Sequence, residues 1–213
     1  MTTGDDHHHG SHPHPHPRQP DVEDQPFEYY QVMAEAVGEL LIEKGVFTAA
    51  ELRRTVESID ARSPADGARV VARSWLDPDY KKRLLEDANS AAAELGIDAG
   101  VIPVRVVENT ADAHNVVCCT LCSCYPRLLL GLPPDWYKAR AYRSRVVREP
   151  RSVLEEFGTI IPEGIEVRVH DSTADLRYMV LPRRPSGTDR LTEAELSALV
   201  TRDCMIGTAL PGA

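Results

Sequence analysis

The sequence predicts an α+β fold: an N-terminal helical arm followed by a layered α/β domain that carries a metal-binding loop. Apolar residues recur at helical spacing near the start of the chain, at Tyr30, Met33 and Val37. Much later, residues 165–170 alternate between apolar and polar side chains, as a half-buried strand does. Between these regions, residues 119–124 contain three cysteines, and we call this segment the thiol loop. A chain in which the helices come first and the strands follow later is typical of an α+β protein.

Residues 1–26 are predicted to be a disordered head. Six of the eight histidines lie there, interleaved with prolines. Proline lacks the backbone donor and clashes with the preceding turn, so this segment cannot form a helix. Two interpretations stay open for the head, namely weak capture or delivery of metal and a solvated tail.

Residues 27–97 are predicted to form the helical arm. Gly45 ends the first helix, and Thr48 with Glu51 makes a capping box for the second. Asp77, followed by a proline, is predicted to cap a helix that runs to Gly96. The pattern does not decide between an arm that embraces another subunit and an ordinary bundle.

Residues 98–213 are predicted to form the α+β metal-binding catalytic domain. A β-prone run begins at Val101 and leads towards the thiol loop. The alternating residues 165–170 and 176–180 are separated by a short turn, so we expect them to pair as a hairpin. Thr192 with Glu195 caps a late helix.

Composition excludes several classes of protein. The chain has 33 acidic and 24 basic residues, a net charge of −9, which argues against a partner such as nucleic acid. No apolar run approaches the roughly 20 residues that cross a bilayer, so we expect no membrane association. The N-terminus lacks the apolar core of a signal peptide, which predicts a cytoplasmic protein.

The thiol loop admits three interpretations from its residues alone. Structural zinc needs four ligands, usually as two pairs, and only the pair Cys119 and Cys122 is present. A thiol–disulfide site prefers the start of a helix, which the following Pro126 disfavours. The third interpretation is a transition metal held by three thiolates and by backbone amides. Cys122 and Cys124 are at most about 7 Å apart, so a loop that curls around the metal turns its amides inward.

Several stretches around and beyond the thiol loop carry a more specific pattern. They are residues 67–73, 109–110, 114–115, 119–126, 131–138, 201–203 and 206–207. Together they resemble the alpha subunits of nitrile hydratases, and the resemblance covers roughly residues 28–211.

This resemblance implies a role for each residue of the loop. Cys119 is then the axial thiolate, Cys122 and Cys124 are equatorial sulfurs, and the amides of Ser123 and Cys124 are nitrogen ligands. Family members carry Cys122 as sulfinate and Cys124 as sulfenate, two steps of cysteine oxidation. Thr120 resembles the cobalt-type proteins, so the resemblance implies low-spin Co(III) in preference to Fe(III).

The resemblance also implies the chemistry and the partners. The metal makes a small nitrile electrophilic, and an oxygen nucleophile adds to give the amide. We take the Cys124 sulfenate as that nucleophile, with a hydroxide on the metal or a nearby activated water as alternatives. Beta-type subunits supply arginines to the oxidised cysteines, so the family implies a hetero-oligomer.

Three positions depart from the common family pattern. Arg127 replaces a tryptophan, Cys204 replaces a serine, and Cys118 replaces a valine. An arginine in the substrate pocket favours an anion or a polar substrate. Arg127 and Cys204 resemble the gamma subunit of thiocyanate hydrolase and also suit three-chain nitrile hydratases that act on a nucleoside nitrile such as toyocamycin. The sequence therefore predicts the metal-bearing subunit of a cobalt nitrile hydratase, with thiocyanate hydrolase and a non-catalytic metal carrier as alternatives.

Overall fold

The structure is a computed structural model that describes residues 29–212. The predicted His/Pro-rich head lies outside the described residues. The helices within the described residues are α1 (Tyr29–Glu43), α2 (Ala49–Asp60), α3 (Ala65–Leu76), α4 (Pro78–Glu86), α5 (Ala88–Glu94), α6 (Arg127–Leu130), α7 (Asp135–Lys138), α8 (Arg140–Arg145), α9 (Pro150–Glu156), α10 (Glu193–Ala198) and α11 (Arg202–Ile206). The strands are β1 (Val104–Glu108), β2 (Ala113–Cys118), β3 (Glu166–Asp171) and β4 (Arg177–Leu181). Together they confirm the α+β class and the helical N-terminal region.

Both predicted capping boxes are confirmed. At the start of α2, the Glu51 amide donates to Thr48 Oγ1 at 3.1 Å, and the Thr48 amide donates to Glu51 Oε2 at 2.7 Å. Thr192 and Glu195 repeat the arrangement before α10. Each reciprocal pair satisfies two amides that would otherwise lack a partner at the helix start, which is why the local sequence was sufficient to predict them.

The prediction of one helix from Asp77 to Gly96 is wrong, because the helix is interrupted at Asp87 and continues as a second helix. Asp77 caps α4 as expected. Asp87 then adopts an extended backbone (φ −145°, ψ 97°), and its carboxylate accepts from the Ser90 amide and hydroxyl. A side chain that offers the backbone an alternative partner can end one helix and start the next.

The predicted hairpin is also wrong. β3 pairs in parallel with β2, and β4 pairs in parallel with β1, in two separate two-stranded sheets. The turn between β3 and β4 connects the two sheets, and Ser172 bonds to a strand of each. Its amide donates to the Cys118 carbonyl at the end of β2, and its hydroxyl accepts from the Tyr178 amide in β4. All six residues of β2 are buried, as expected for a parallel strand covered on both faces.

The helices of the N-terminal region differ in burial. No residue of α1 or α2 is buried, and apolar side chains such as Tyr30, Val37 and Leu52 are exposed. In contrast, α3 buries six residues and packs against α6, α10 and α11. Gly67 permits that approach, because a Cβ there would lie 2.7 Å from Met205 Sδ and 3.0 Å from the Leu129 carbonyl. Within residues 29–212, no helix is both long enough and apolar enough to span a bilayer.

Candidate metal centre

The three thiols of the loop converge on one point. Cys119 follows β2 directly, and its sulfur lies 3.5 Å from that of Cys122, which lies 3.2 Å from that of Cys124. All three sulfur atoms lie within 4.8 Å of one another. Within residues 29–212, this is the one group of three or more Cys, His, Asp or Glu side chains that converges in this way. The loop therefore presents three soft donors to one ion.

Burial differs among the three sulfurs. Cys119 is 1% exposed, Cys124 is partly buried and Cys122 is exposed. The Cys119 sulfur thus lies on the buried side of the loop, and the sulfurs of Cys122 and Cys124 lie on its more exposed side. This arrangement leaves an ion in the loop accessible from outside, which distinguishes it from a closed structural site.

Backbone amides also point into the loop. The Cys122 amide donates to Cys119 Sγ at 3.4 Å. The amides of Ser123 and Cys124 lower the pKa of Cys122, as amides directed towards its sulfur do. The bend is therefore tight enough for main-chain nitrogens to share the space between the sulfurs. The residue types and their geometry fit a metal that accepts both sulfur and amide nitrogen.

These contacts separate the acidities of the two outer thiols. Burial acts to raise the pKa of Cys122, but hydrogen bonds from the neighbouring thiols and amides outweigh it and lower that pKa. Burial and the hydrogen bond with Cys122 raise the pKa of Cys124 to about 12. The contacts within the loop thus favour the thiolate form at Cys122 and the thiol form at Cys124.

Side chains from outside the loop hold its backbone. Asp171, the last residue of β3, accepts from the Thr120 amide at 2.9 Å and from the Thr120 hydroxyl at 2.6 Å. Tyr137 Oη donates to the Cys124 carbonyl at 2.9 Å. Arg143 Nη1 donates to the Thr120 carbonyl at 3.4 Å. The loop is thus fixed at both ends by residues that are distant in sequence.

Sequence reasoning missed these supports. Arg143 belongs to a basic run that looks solvated in the sequence, yet it is 8% exposed and contacts the loop. Asp171 was visible only as part of a turn. Its role becomes apparent only from the parallel pairing of β2 with β3, which places Asp171 beside Cys118. The sequence does not specify this pairing.

The remaining cysteines and histidines lie outside the thiol cluster. Cys118 is fully buried, and burial raises its pKa to about 12, so it behaves as a small apolar side chain. Cys204 is buried beside Thr201 Oγ1 at 3.1 Å. His114 Nε2 lies 2.7 Å from the Gly207 carbonyl, which fixes the proton on Nε2, and His170 Nε2 lies 2.8 Å from Asn115 Oδ1. Both histidines are structural, and no fourth zinc ligand joins the cluster within the described residues.

A cavity of about 460 Å³ opens onto the thiol loop. Cys122, Ser123 and Cys124 form one side of its lining, and two guanidinium side chains, Arg127 and Arg177, belong to the same lining. The other lining residues are apolar apart from the hydroxyl of Tyr125, and none of those described is Asp or Glu. In a chain with a net charge of −9, this cavity is a local region of positive charge.

Comparison with known proteins agrees with this geometry. The profile of the family described as "Nitrile hydratase, alpha chain" matches residues 28–209. The cobalt-containing nitrile hydratase subunit alpha of Pseudonocardia thermophila is 51% identical over 176 residues, which is 81% of this chain and 86% of the relative. The high-molecular weight cobalt-containing nitrile hydratase subunit alpha of Rhodococcus rhodochrous is 50% identical over 182 residues, 84% of this chain and 89% of the relative.

Thiocyanate hydrolase is also similar. Its subunit gamma from Thiobacillus thioparus is 43% identical over 194 residues, 85% of this chain and 80% of the relative. The solved structure of a recombinant thiocyanate hydrolase with partially modified cobalt centres matches with a TM-score of 0.81 and 43% identity, over 87% of this chain and 91% of that chain. A double mutant of the Fe-type nitrile hydratase from Comamonas testosteroni Ni1 gives a TM-score of 0.78 and 41% identity, over 86% and 91% of the two chains. On these similarities, the chain belongs to the nitrile hydratase alpha-chain family.

Proposed function

We propose that this chain is the metal-bearing, alpha-type subunit of a cobalt nitrile hydratase, which hydrates a nitrile to the corresponding amide. The observation that carries the proposal is the convergence of Cys119, Cys122 and Cys124 at the edge of a cavity large enough for a small organic molecule. A metal held there would face a guest in the cavity.

The ligands would be the sulfurs of Cys119, Cys122 and Cys124 and the amide nitrogens of Ser123 and Cys124. Cys119 would be the most buried of these ligands. The metal would be low-spin Co(III) in preference to iron, because the relatives at about 50% identity are cobalt-containing, whereas the Fe-type nitrile hydratase is 41% identical. When bound, cobalt would supply Lewis acidity that polarises the C≡N bond.

Cys124 would act as the nucleophile in its sulfenate form, with Cys122 as sulfinate. Its position in the cavity lining supports this role, because a guest can reach it without rearrangement of the loop. The sulfenate oxygen would attack the nitrile carbon, and water would then restore the oxygen on sulfur. The net reaction adds one water across the C≡N bond, and the product tautomerises to the amide.

A beta-type partner would complete the pocket and make the protein a hetero-oligomer. Support comes from α1 and α2, which bury none of their residues and expose apolar side chains such as Val37 and Val56. Arginines of the partner would hold the oxidised cysteines. All five cysteines are free of disulfides, which supports a reducing compartment such as the cytoplasm.

Thiocyanate hydrolysis to carbonyl sulfide and ammonia is a second candidate function. It is favoured by Arg127 and Arg177, which line the cavity without a carboxylate and would attract an anion. Neutral nitriles gain less from this charge unless they carry polar groups, as a nucleoside nitrile does.

Substrate assays on the assembled enzyme separate the two candidates. We expect an aromatic or nucleoside nitrile to yield the amide, and thiocyanate to yield little ammonia. Carbonyl sulfide and ammonia as the main products would replace nitrile hydration with the second candidate. The Arg127→Trp variant should shift preference towards simple apolar nitriles, and unchanged selectivity would remove Arg127 from the pocket.

A further inference from the structure

Arg177 reaches the cavity from a fixed position in the fold. It is the first residue of β4, its amide donates to the Pro103 carbonyl at 2.9 Å, and it pairs with Val104 of β1. Val104 and Arg177 both belong to the cavity lining. The sheet therefore holds the backbone from which the guanidinium extends.

One nitrogen of this guanidinium is buried without a partner. Nη1 of Arg177 is shielded from solvent and makes no hydrogen bond to any described residue. Within residues 29–212, no carboxylate lies within ion-pair distance of Arg177. Burying a charged donor without an acceptor destabilises the folded protein more than burying a neutral donor does. We therefore expect this nitrogen to find an acceptor in the working protein.

The Cys124 sulfur is the acceptor that the cavity offers to this nitrogen. Both residues line the same cavity. Of the two cysteines in this lining, Cys122 is exposed and Cys124 is partly buried, so Cys124 is the better match for a buried nitrogen. Because no Asp or Glu belongs to the described lining, negative charge on the cysteine sulfurs, or on oxygen added to them, is the charge in this cavity that a guanidinium can stabilise.

We propose that Arg177 is a positioning residue that donates from Nη1 to Cys124, either to its anionic sulfur or to the oxygen that the sulfur carries after oxidation. This inference rests on the proposed function, because it requires the loop to hold a metal. It assigns to this chain a contact of the kind that the family resemblance expects from arginines of a partner. A guanidinium suits the task since it keeps its charge and directs its donors in a rigid plane.

The test compares Arg177→Met and Arg177→Lys with wild type, in the full chain expressed with cobalt. Arg105→Met is the matched control, because Arg105 is exposed on the paired strand, opposite Tyr178, and is not part of the cavity lining. Two quantities are measured: the rate at which EDTA removes cobalt, and the wavelength of the sulfur-to-cobalt absorption band. Groups that hydrogen-bond to metal ligands typically change metal affinity about 10–100-fold.

We expect Arg177→Met to release cobalt at least about tenfold faster and to shift the band to longer wavelength, because a hydrogen bond to sulfur lowers the energy of its electrons. Arg177→Lys should recover part of both changes, and Arg105→Met should match wild type. A purely structural role would leave the wavelength unchanged.

Equal cobalt-release rates and equal band wavelengths in Arg177→Met and wild type would overturn the inference about Arg177 but leave the proposed function intact. If Arg177→Met does not fold, the same comparison with Arg177→Lys decides, and wild-type behaviour on both measurements would overturn the inference. A wild-type chain that binds no cobalt would overturn the proposed function together with the inference.

Discussion

Asp171 holds Thr120 through both its carboxylate oxygens, with Oδ1 accepting from the Thr120 amide at 2.9 Å and Oδ2 accepting from the hydroxyl at 2.6 Å. Thr120 is the first residue after the buried Cys119, so this contact sets the direction in which the thiol loop leaves β2. The carboxylate is in place because β3 runs parallel to β2 and brings its last residue beside Cys118. Strand pairing thus positions the candidate metal ligands.

Removal of this contact is predicted to weaken metal retention by the thiol loop while changing the stability of the fold only slightly. Asp171→Ala should release cobalt faster than wild type and lower the free energy of unfolding of the metal-free chain by only about 1 kcal/mol. Cobalt release to a chelator and urea unfolding measure the two effects. Asp175→Asn is the control, because it removes an exposed carboxylate from the neighbouring turn. If Asp171→Ala keeps cobalt as well as Asp175→Asn does, Asp171 has no role in positioning the loop.

Cys122→Ala and Cys124→Ala are each predicted to abolish cobalt retention and nitrile hydration, because each removes one of three converging sulfurs. Cys118→Val should retain both, since Cys118 is fully buried and absent from the cluster. Cobalt is measured by elemental analysis after gel filtration. Full cobalt occupancy in either loop variant would show that the thiols do not act together.

Gly207 is predicted to be intolerant of any side chain. Its φ is +93°, and an added Cβ would lie 2.0 Å from the Asn115 carbonyl oxygen. Gly187 has a similar φ of +79° with no atom within 4 Å of that position. Gly187→Ala should therefore cost only the backbone strain, about 1–2 kcal/mol, whereas Gly207→Ala should cost at least about 3 kcal/mol. Equal losses in urea unfolding would mean that the close approach to β2 is absent.

Stability is predicted to fall as the pH drops below neutrality, in part through His114. Burial lowers the pKa of His114 from 6.5, against the opposing effect of its hydrogen bond to the Gly207 carbonyl. Below about pH 6.5 the unfolded chain therefore binds more protons than the folded chain, so acid favours unfolding. Urea unfolding at pH 7 and pH 5 should show a smaller loss for His114→Gln than for wild type.

The comparison variant for that experiment is His170→Gln. Burial, with a contribution from Arg168, also lowers the pKa of His170, but its ring is only half-buried. We expect this variant to flatten the pH dependence less than His114→Gln does. A pH dependence in His114→Gln as steep as that of wild type would exclude His114 as a source of the effect.

Much of the fold and the site could be predicted because the signals are local. The capping boxes at Thr48 and Thr192 and the three-cysteine loop each lie within a few residues of sequence. The partners of β3 and β4 could not be predicted, since an alternating pattern defines a strand but not its neighbour. The contact of Asp171 with Thr120 and the position of Arg177 in the cavity lining could not be predicted for the same reason, because both depend on which strands pair.

The most direct test of the central claim is the metal content of the purified, assembled enzyme, combined with the mass of the peptide that contains residues 119–124. We predict cobalt in an equimolar amount to this chain, with oxygen atoms added to Cys122 and Cys124. Zinc in place of cobalt, or no metal, together with three unoxidised thiols would contradict it.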